Sequence, residues 1–444
     1  MPTVEPRLQK RYRKLVQQHL SPTQSVAAGL RALPRTNKPF AATQAAWRFY
    51  QNERVTLPVL AEPIIAQAKE LISVYATRYA LVMHDFSDLK FTTHEHKTDR
   101  IRLCNKIEYG YFLQAGLLVS DLDGSPLAPL YLGVETAHGI YSSRREKPSP
   151  RHRQLDELNR AFGYVEKLEL GLECVHIVDR QADSLLHLRR FVRCRRKFVI
   201  RSNDVRRVRH EGESKVLAEV EETLVSQLKY VREVEHQGKK AFQYVAETKV
   251  ILERMSKTKR PTAENPGQRK LIKGKPIELR FILSEVRDKQ GKVLSVWRLW
   301  TNVEEQVKAE EIALWYYWRW KIESFFKLLK KGGQQIEQWQ QESGEAIAKR
   351  LLVVAQACVL VWTLALSTDE KAVEMREFLI SLSGRQMKRG VAYTTPALLV
   401  GMWQFLAIID ALERYTTAQL EEMATEFLKL LGSKSNFLDV KELV

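Results

Sequence analysis

Cysteine is scarce in this chain, with four in 444 residues: Cys104, Cys174, Cys194 and Cys358, far apart and without a C-x-x-C pair. That argues against a disulfide framework or a thiolate zinc knuckle and fits a reducing compartment. A signal-peptide core is missing from the opening MPTVEPRLQKRYRK. Long apolar runs are missing too. The longest, Leu351 to Leu366, is shorter than the roughly 20 residues of a membrane span and is followed by polar sequence. It is expected to be a buried helix, and no membrane partner is expected. No G-x-S-x-G elbow or local Cys–His signature marks a nucleophile, and there is no internal repeat or low-complexity segment. Acidic residues are outnumbered, 53 against 71 Lys and Arg, for a net charge of +18 and a sequence pI near 9.6. A polyanionic partner follows, nucleic acid before an anionic membrane.

What is present is enough for folded domains. Hydrophobic residues make up 44% of the chain, sufficient for proper cores, and the length calls for two or three domains. The first part is basic (Arg7, Lys10, Arg11, Arg13, Lys14) and then carries AATQAAWRFYQN, a short helix. Helix continues from Pro58 to Tyr79. YALVMHD, YFLQAGLLVSD and LAPLYLGVETA then read as strands, the last two flanking a turn at Asp121 to Pro126. A helix from about Gln154 to Leu170 is followed by the buried-strand pattern CVHIV, a helix from about Asp183, and the strand KFVIRS. Strands first, then alternation with helices, indicate a mixed sheet covered by helices. From about residue 203 to 300 the pattern is β-rich again, with a hairpin signal at Lys289-Gln290-Gly291-Lys292 and a flexible basic loop, SKTKRPTAENPGQRKLIKGK. Beyond Ser367 the chain reads as helical.

The segment IALWYYWRWKIESFFKLLKKGG, Ile312 to Gly333, reads as one helix. Tyr316, Arg319, Glu323 and Lys330 lie at offsets 0, 3, 7 and 14, within roughly 60° of one another on a helix. They form a narrow polar stripe on an otherwise apolar helix. A phenol, a guanidinium, a carboxylate and an ammonium suit phosphates and metal ions; an ordinary i, i+4 surface pair of Arg319 and Glu323 is the plain alternative.

Asp85, in ALVMHD, and Asp179, in VHIVD, follow short apolar strands, where carboxylates project at a sheet edge. With Glu323 they could hold two divalent cations about 3.5–4 Å apart, for which Mg²⁺ is suited. The competing reading of each Asp is a turn former or helix cap. Asp183 could serve as such a cap, and Asp88 competes with Asp85 for the first position. His94 and His96 form an H-x-H pair that could bind zinc from a strand, but no nearby Cys completes a set, so a structural role is expected. From His187 to His210 there are ten Arg or Lys and one acid, Asp204; that charge is expected to border the acidic site. Trp297 and Trp300, just before the striped segment, could stack on an unpaired base or belong to a core.

The spacing Tyr316-(2)-Arg319-(3)-Glu323-(6)-Lys330 resembles the Y-R-E-K signature of DDE transposases, specifically the insertion-sequence-four, Tn-five-like family. DRQAD (Asp179 to Asp183) is similar to that family's second-Asp segment, HDFSDL (His84 to Leu89) to its first, and AAWRFYQN (Ala45 to Asn52) to its N-terminal block. The matches run in the family's order over most of the chain.

The resemblance implies an RNase H-like α/β catalytic core at residues 76–366, with a β-strand insertion at about 203–300. A helical DNA-end-binding region at 1–75 and a helical dimerisation region at 367–444 would flank it. It implies Asp85, Asp179 and Glu323 as the catalytic, metal-binding triad for two Mg²⁺ ions, with Mn²⁺ as a substitute. Tyr316, Arg319, Lys330, Trp297, Arg201 and Arg48 become DNA-contact residues, with Trp297 stacking on a flipped base. The implied activity is cut-and-paste transposition: end binding, nicking, hairpin formation and opening, and 3′-OH transfer into target DNA. Implied partners are double-stranded DNA, as inverted repeats and target, and a second copy of the chain, at the nucleoid of a bacterial cytoplasm. The short N-terminus and compact C-terminal part depart from the family plan. The alternatives are a catalytically silent DNA-binding derivative and a nuclease of the same core without hairpin chemistry.

Overall fold

The computed structural model describes residues 4–19, 39–105, 107–253, 256–257, 271–272, 274–330 and 334–430. Most of the basic loop expected after Arg254, and the Gly332-Gly333 end of the striped segment, lie outside them.

Three helices open the chain: α1 (Pro6–His19), α2 (Pro39–Gln51) and α3 (Leu57–Tyr75). The first strands are β1 (Tyr79–Lys90), β2 (Ile101–Arg102), β3 (Tyr109–Val119), β4 (Pro126–Thr136), β5 (Gly139–Ser142) and β6 (Arg145–Ser149). Helices and strands then alternate: α4 (Gln154–Glu166), β7 (Glu173–Val178), α5 (Leu185–Arg193) and β8 (Lys197–Arg201). Next come β9 (Arg207–His210), β10 (Glu213–Val216), α6 (Leu217–Val225), β11 (Lys229–His236) and β12 (Lys239–Leu252). A small pair, β13 (Ser256–Lys257) and β14 (Leu271–Ile272), precedes β15 (Ile277–Arg287) and β16 (Val293–Thr301). The chain closes in helices: α7 (Ala309–Tyr317), α8 (Trp320–Lys330), α9 (Gly344–Leu366), α10 (Glu370–Ser383), α11 (Thr395–Leu412) and α12 (Thr417–Leu430).

Fourteen strands share one mixed sheet, in the order β10-β9-β12-β15-β16-β8-β7-β1-β3-β4-β5-β6, with β11 on β12 and β2 on β3. Only β1, β7 and β8 run parallel to their neighbours, as the crossovers through α4 and α5 require. Apart from β13 and β14, which pair only with each other, the strands of the expected β insertion extend the central sheet, because β16 pairs antiparallel with β8, Leu299 opposite Arg201. Asp288 to Lys292 make the anticipated hairpin turn, with Gly291 at φ +82°.

The sheet separates two cores. One gathers Phe162, Leu188, Phe198, Phe281 and Trp300 beneath α4, α5 and α6. The other holds Leu81, Leu113, Ile322, Phe325 and α9. Helix α9 runs through this core with Leu351 to Ala355 at 0–1% exposure, so the long apolar run is a core helix. Each such Leu or Val contributes about 1.5–3 kcal/mol. Helix α11 is also long and apolar enough to cross a membrane, but packs against α9 and α10, with Ala397, Leu398 and Leu399 buried and Ile408, Ile409 and Leu412 exposed.

The striped segment differs from the single helix its spacing suggests. Between α7 and α8, Arg319, Lys321 and Ile322 donate to the carbonyls of Tyr316, Trp318 and Arg319, i→i+3 bonds in place of an unbroken i→i+4 ladder. No proline or glycine is responsible. Bulky aromatics crowd the turn, and Trp318 is pinned against the β3–β4 turn, where a Cβ on Gly124 would lie 2.3 Å from its ring.

Candidate active site

Register assembles the site. Where β1 pairs with β7, the last partners are His84 and Val178; where β7 pairs with β8, they are Val178 and Ile200. One residue further, Asp85, Asp179 and Arg201 fall in one row across three neighbouring parallel strands. Asp179 and Arg201 stand at strand ends, as expected. Asp85 does not: β1 continues to Lys90, so this acid lies inside a twelve-residue strand. Side chains alternate along a strand, so Asp85, and not Asp88, shares the row's face.

The reverse face behind Asp85 carries buried His84, whose Nε2 lies 3.0 Å from Nδ1 of His176, itself stacked on Phe162 at 3.8 Å between ring centroids. Burial, followed by the neighbouring imidazole, holds His84 well below the usual histidine range. It is a neutral support for the row.

Helix α8 lies over β1 and brings Glu323 to the row. Arg319, at the break before α8, joins the two: Nη1 donates to Asp85 Oδ2 at 3.0 Å and Nη2 to Glu323 Oε1 at 2.6 Å. Burial raises the Asp85 carboxyl to about 6; Arg319 and the Phe86 N–H pull it down, while Asp179 and Glu323 push it up. Burial opposes the charge of Arg319, yet Tyr316, Asp85 and Glu323 outweigh it and hold the guanidinium above its usual range.

The rest of the stripe is less available than its spacing suggests. Tyr316 is buried against Trp297, at 5.6 Å between centroids. Its phenol is raised by burial, with Arg319, Arg201 and Asp179 also acting on it. Lys330 donates to the Asp88 carbonyl and faces Glu337 at 3.7 Å. Trp297 lies on the row's face but is only 5% exposed, and Trp300 is wholly buried on the other face, its Nε1 donating to Asp183. As they stand, both indoles are core. The exposed tryptophan beside the acids is Trp320, half exposed, with the Arg319 guanidinium 5.7 Å from its ring. Its position after Arg319 was legible, but its exposure depends on the break.

Arg48 is exposed elsewhere, in a groove of about 480 Å³ between α1 and α2 that Arg7, Lys10 and Arg11 also line. Part of the basic stretch around α5 and β8 is engaged in ion pairs, Arg190 with Asp156, Arg196 with Glu166, Lys197 with Glu304, Arg206 with Asp183 and Arg209 with Glu253, while Arg201 joins the acidic row. Asp183 therefore anchors Arg206 and does not cap a helix. It is Asp179 that caps a short 3₁₀ turn, accepting from the Gln181 N–H at 2.8 Å. His94 and His96 sit in turns, not on a strand.

Three carboxylates are oxygen donors of the kind Mg²⁺ and Mn²⁺ take, and they are near enough for Asp179 and Glu323 to act on Asp85. The donor set fits a divalent cation in type. In the arrangement seen, two of the three acids grip Arg319, and no group of three His, Cys, Asp or Glu among the described residues is gathered to hold a metal ion.

No protein-family model matches the chain, and no curated protein does. Among solved structures it is similar to the piggyBac transposase synaptic complex with hairpin DNA, at 9% identity and a TM-score of 0.28, covering 80% of this chain and 57% of that one. The chain thus spans a little over half the length of that protein. A likeness so slight carries no argument about fold or activity, and what can be said of this site rests on its own geometry.

Proposed function

We propose that this chain is a metal-dependent DNA phosphoryl transferase of the DDE-transposase type, with Asp85, Asp179 and Glu323 as its acidic triad. The observation that carries the reading is the row Asp85–Asp179–Arg201 across three parallel strands, with Glu323 delivered beside it from a distant helix. Acids from three separated segments converge with a guanidinium, a second arginine and a phenol at one sheet position. An anionic phosphodiester needs both kinds of charge.

A divalent cation held by the three acids would supply Lewis-acid activation of water and stabilise the leaving oxygen. Arg319 and Arg201 would bind phosphate oxygens, Arg319 through a bidentate fork. Tyr316 would orient the same phosphate, and Trp320 offers an exposed ring for a base. Hairpin formation and reopening, transfer of the 3′-OH into target DNA, and synapsis of two ends by a protein dimer are the finer parts of this reading. The RNase H-like description of the core belongs with them. So does the choice of Mg²⁺, with Mn²⁺ as substitute.

The test is cleavage of the element's own end sequence in Mg²⁺ or Mn²⁺ by wild type and Asp179→Ala. The variant is expected to lose about a thousandfold or more, several kcal/mol of transition-state stabilisation. A wild-type protein that binds the ends but never cuts them would support the silent DNA-binding derivative, the reading that the grip of Arg319 on two acids favours. Nicking without hairpins would support the nuclease.

A further inference from the structure

We infer that Arg319 is a built-in counter-cation that closes the Asp85–Glu323 pair until a DNA phosphate draws it away, coupling divalent-cation binding to DNA binding. The inference rests on the reading of these acids as a metal site and adds a regulation of that site. A plain i, i+4 pair of Arg319 with Glu323 would need no second acid. Here one guanidinium spans a carboxylate on the sheet and one on the helix, at 3.0 and 2.6 Å, with the Arg319 side chain only 12% exposed. Oxygens committed to charge-assisted bonds of this kind cannot also take a cation while the guanidinium stays. A guanidinium and a divalent cation held by the same carboxylates would also repel each other.

Two further features favour release to a phosphate. The Nε of Arg319 is buried with no hydrogen-bond partner, a donor whose desolvation is uncompensated. A phosphate can accept from Nε and one Nη together, which the two separated carboxylates do not do. The guanidinium also lies between aromatic rings, Tyr316 at 5.9 Å and Trp320 at 5.7 Å, the latter half exposed. Trp320 thus offers the charge an exposed π face on its solvent side. Coupling of this kind is reciprocal: DNA that raises cation affinity must gain affinity from the cation by the same factor.

The experiment is Mn²⁺ titration of the full chain, read as free Mn²⁺ by electron paramagnetic resonance, with and without a short blunt duplex. Wild type, Arg319→Gln, Arg319→Lys and Asp85→Asn are compared. Without DNA, Arg319→Gln is expected to bind Mn²⁺ about tenfold tighter than wild type. The duplex should tighten wild type by a similar factor and leave Arg319→Gln nearly unchanged. Arg319→Lys, which keeps the charge but loses the planar fork, should fall between them and carries the test should Arg319→Gln fail to fold. If wild-type Mn²⁺ binding is lost in Asp85→Asn but neither Arg319 variant tightens it, the counter-cation role is wrong and the metal site stands. If the duplex leaves wild-type affinity unchanged, the coupling is wrong. If no variant and no wild type binds Mn²⁺, both the coupling and the proposed metal chemistry fall.

Discussion

Single residues here carry charges that their surroundings do not readily tolerate. Lys97 shows this away from the acidic row. It is wholly covered, with Nζ 3.0 Å from His96 Nε2 and 5.1 Å from the Phe91 ring. Burial, helped by Arg100, pulls its pKa down to about 8, against the opposing charges of Asp99 and Glu342. The unfolded chain keeps this proton to about pH 10.4. Between about pH 8 and that value the unfolded state holds more protons, so this group's contribution to stability rises with pH and is lost as pH falls through 8. Lys97→Met should therefore be more stable than wild type at pH 7, with the gap closing towards pH 10. Denaturant midpoints across that range would measure it, and a gap that stays constant would contradict it. The acidic row follows the same logic from the opposite charge: Asp85 tolerates burial because Arg319 is beside it. The identities of Asp85, Asp179 and Glu323 were legible in short motifs. The burial of Trp297 and Trp300 was not, because an aromatic on a strand with one apolar and one polar neighbour, Val296 and Arg298 or Leu299 and Thr301, fits a core as well as a surface.

At the scale of elements, the break between α7 and α8 decides how the four polar residues of the stripe are presented. An unbroken helix would align four polar side chains; the tightened turn instead sinks Tyr316 and leaves Arg319 between two acids. The β3–β4 turn supports that break. Asp121 ties the turn to the start of β1 by accepting from the Thr77, Arg78 and Tyr79 N–H groups at 2.8–3.0 Å. Gly124, at φ +70°, lies flush on Trp318. Gly124→Ala should cost about 2–3 kcal/mol, combining left-handed strain with overpacking. Gly291→Ala, at φ +82° with nothing within 4 Å of the added Cβ, should cost only about 1 kcal/mol. Urea denaturation of both variants separates the two contributions, and equal losses would show that Trp318 yields freely. Turn residues and the 288–292 hairpin could be read from local chemistry. A helix break without proline or glycine could not, since it is imposed by a turn almost 200 residues earlier in the sequence.

Across the whole molecule, charge and apolar surface are unevenly used. The net charge of +18 survives extensive ion pairing around α5 and β8, and the groove between α1 and α2 keeps several cations together. If DNA is the partner, the apparent affinity for a duplex should fall by about a thousandfold between about 50 and 200 mM salt, as for six or more neutralised phosphates. Fluorescence anisotropy across that range tests it, and a nearly salt-independent affinity would exclude backbone binding. The C-terminal helices leave Phe378, Ile408, Ile409, Leu412, Met423 and Phe427 exposed, and a group of apolar side chains, unlike a single one, fits a contact face that something covers. In the proposed dimer a second copy does so. The double variant Leu412→Glu, Phe427→Glu should then sediment as a monomer where wild type sediments as a dimer; a monomeric wild type, with or without DNA, would place dimerisation elsewhere.

The sequence by itself determined the kinds of element, most of their order, the basic sign of the molecule and which acids are candidates for the proposed site. These depend on local periodicity, turn chemistry and composition, which act over a few residues at a time. Only the tertiary structure decided that the strands of residues 207–301, β13 and β14 aside, extend one sheet, that Asp85 lies inside its strand beside Asp179, and that Arg319 grips two acids at once. Strand register, side-chain burial and a fork between carboxylates 238 positions apart in sequence depend on contacts between distant segments. No local pattern specifies those contacts, and they form only when the chain closes its core.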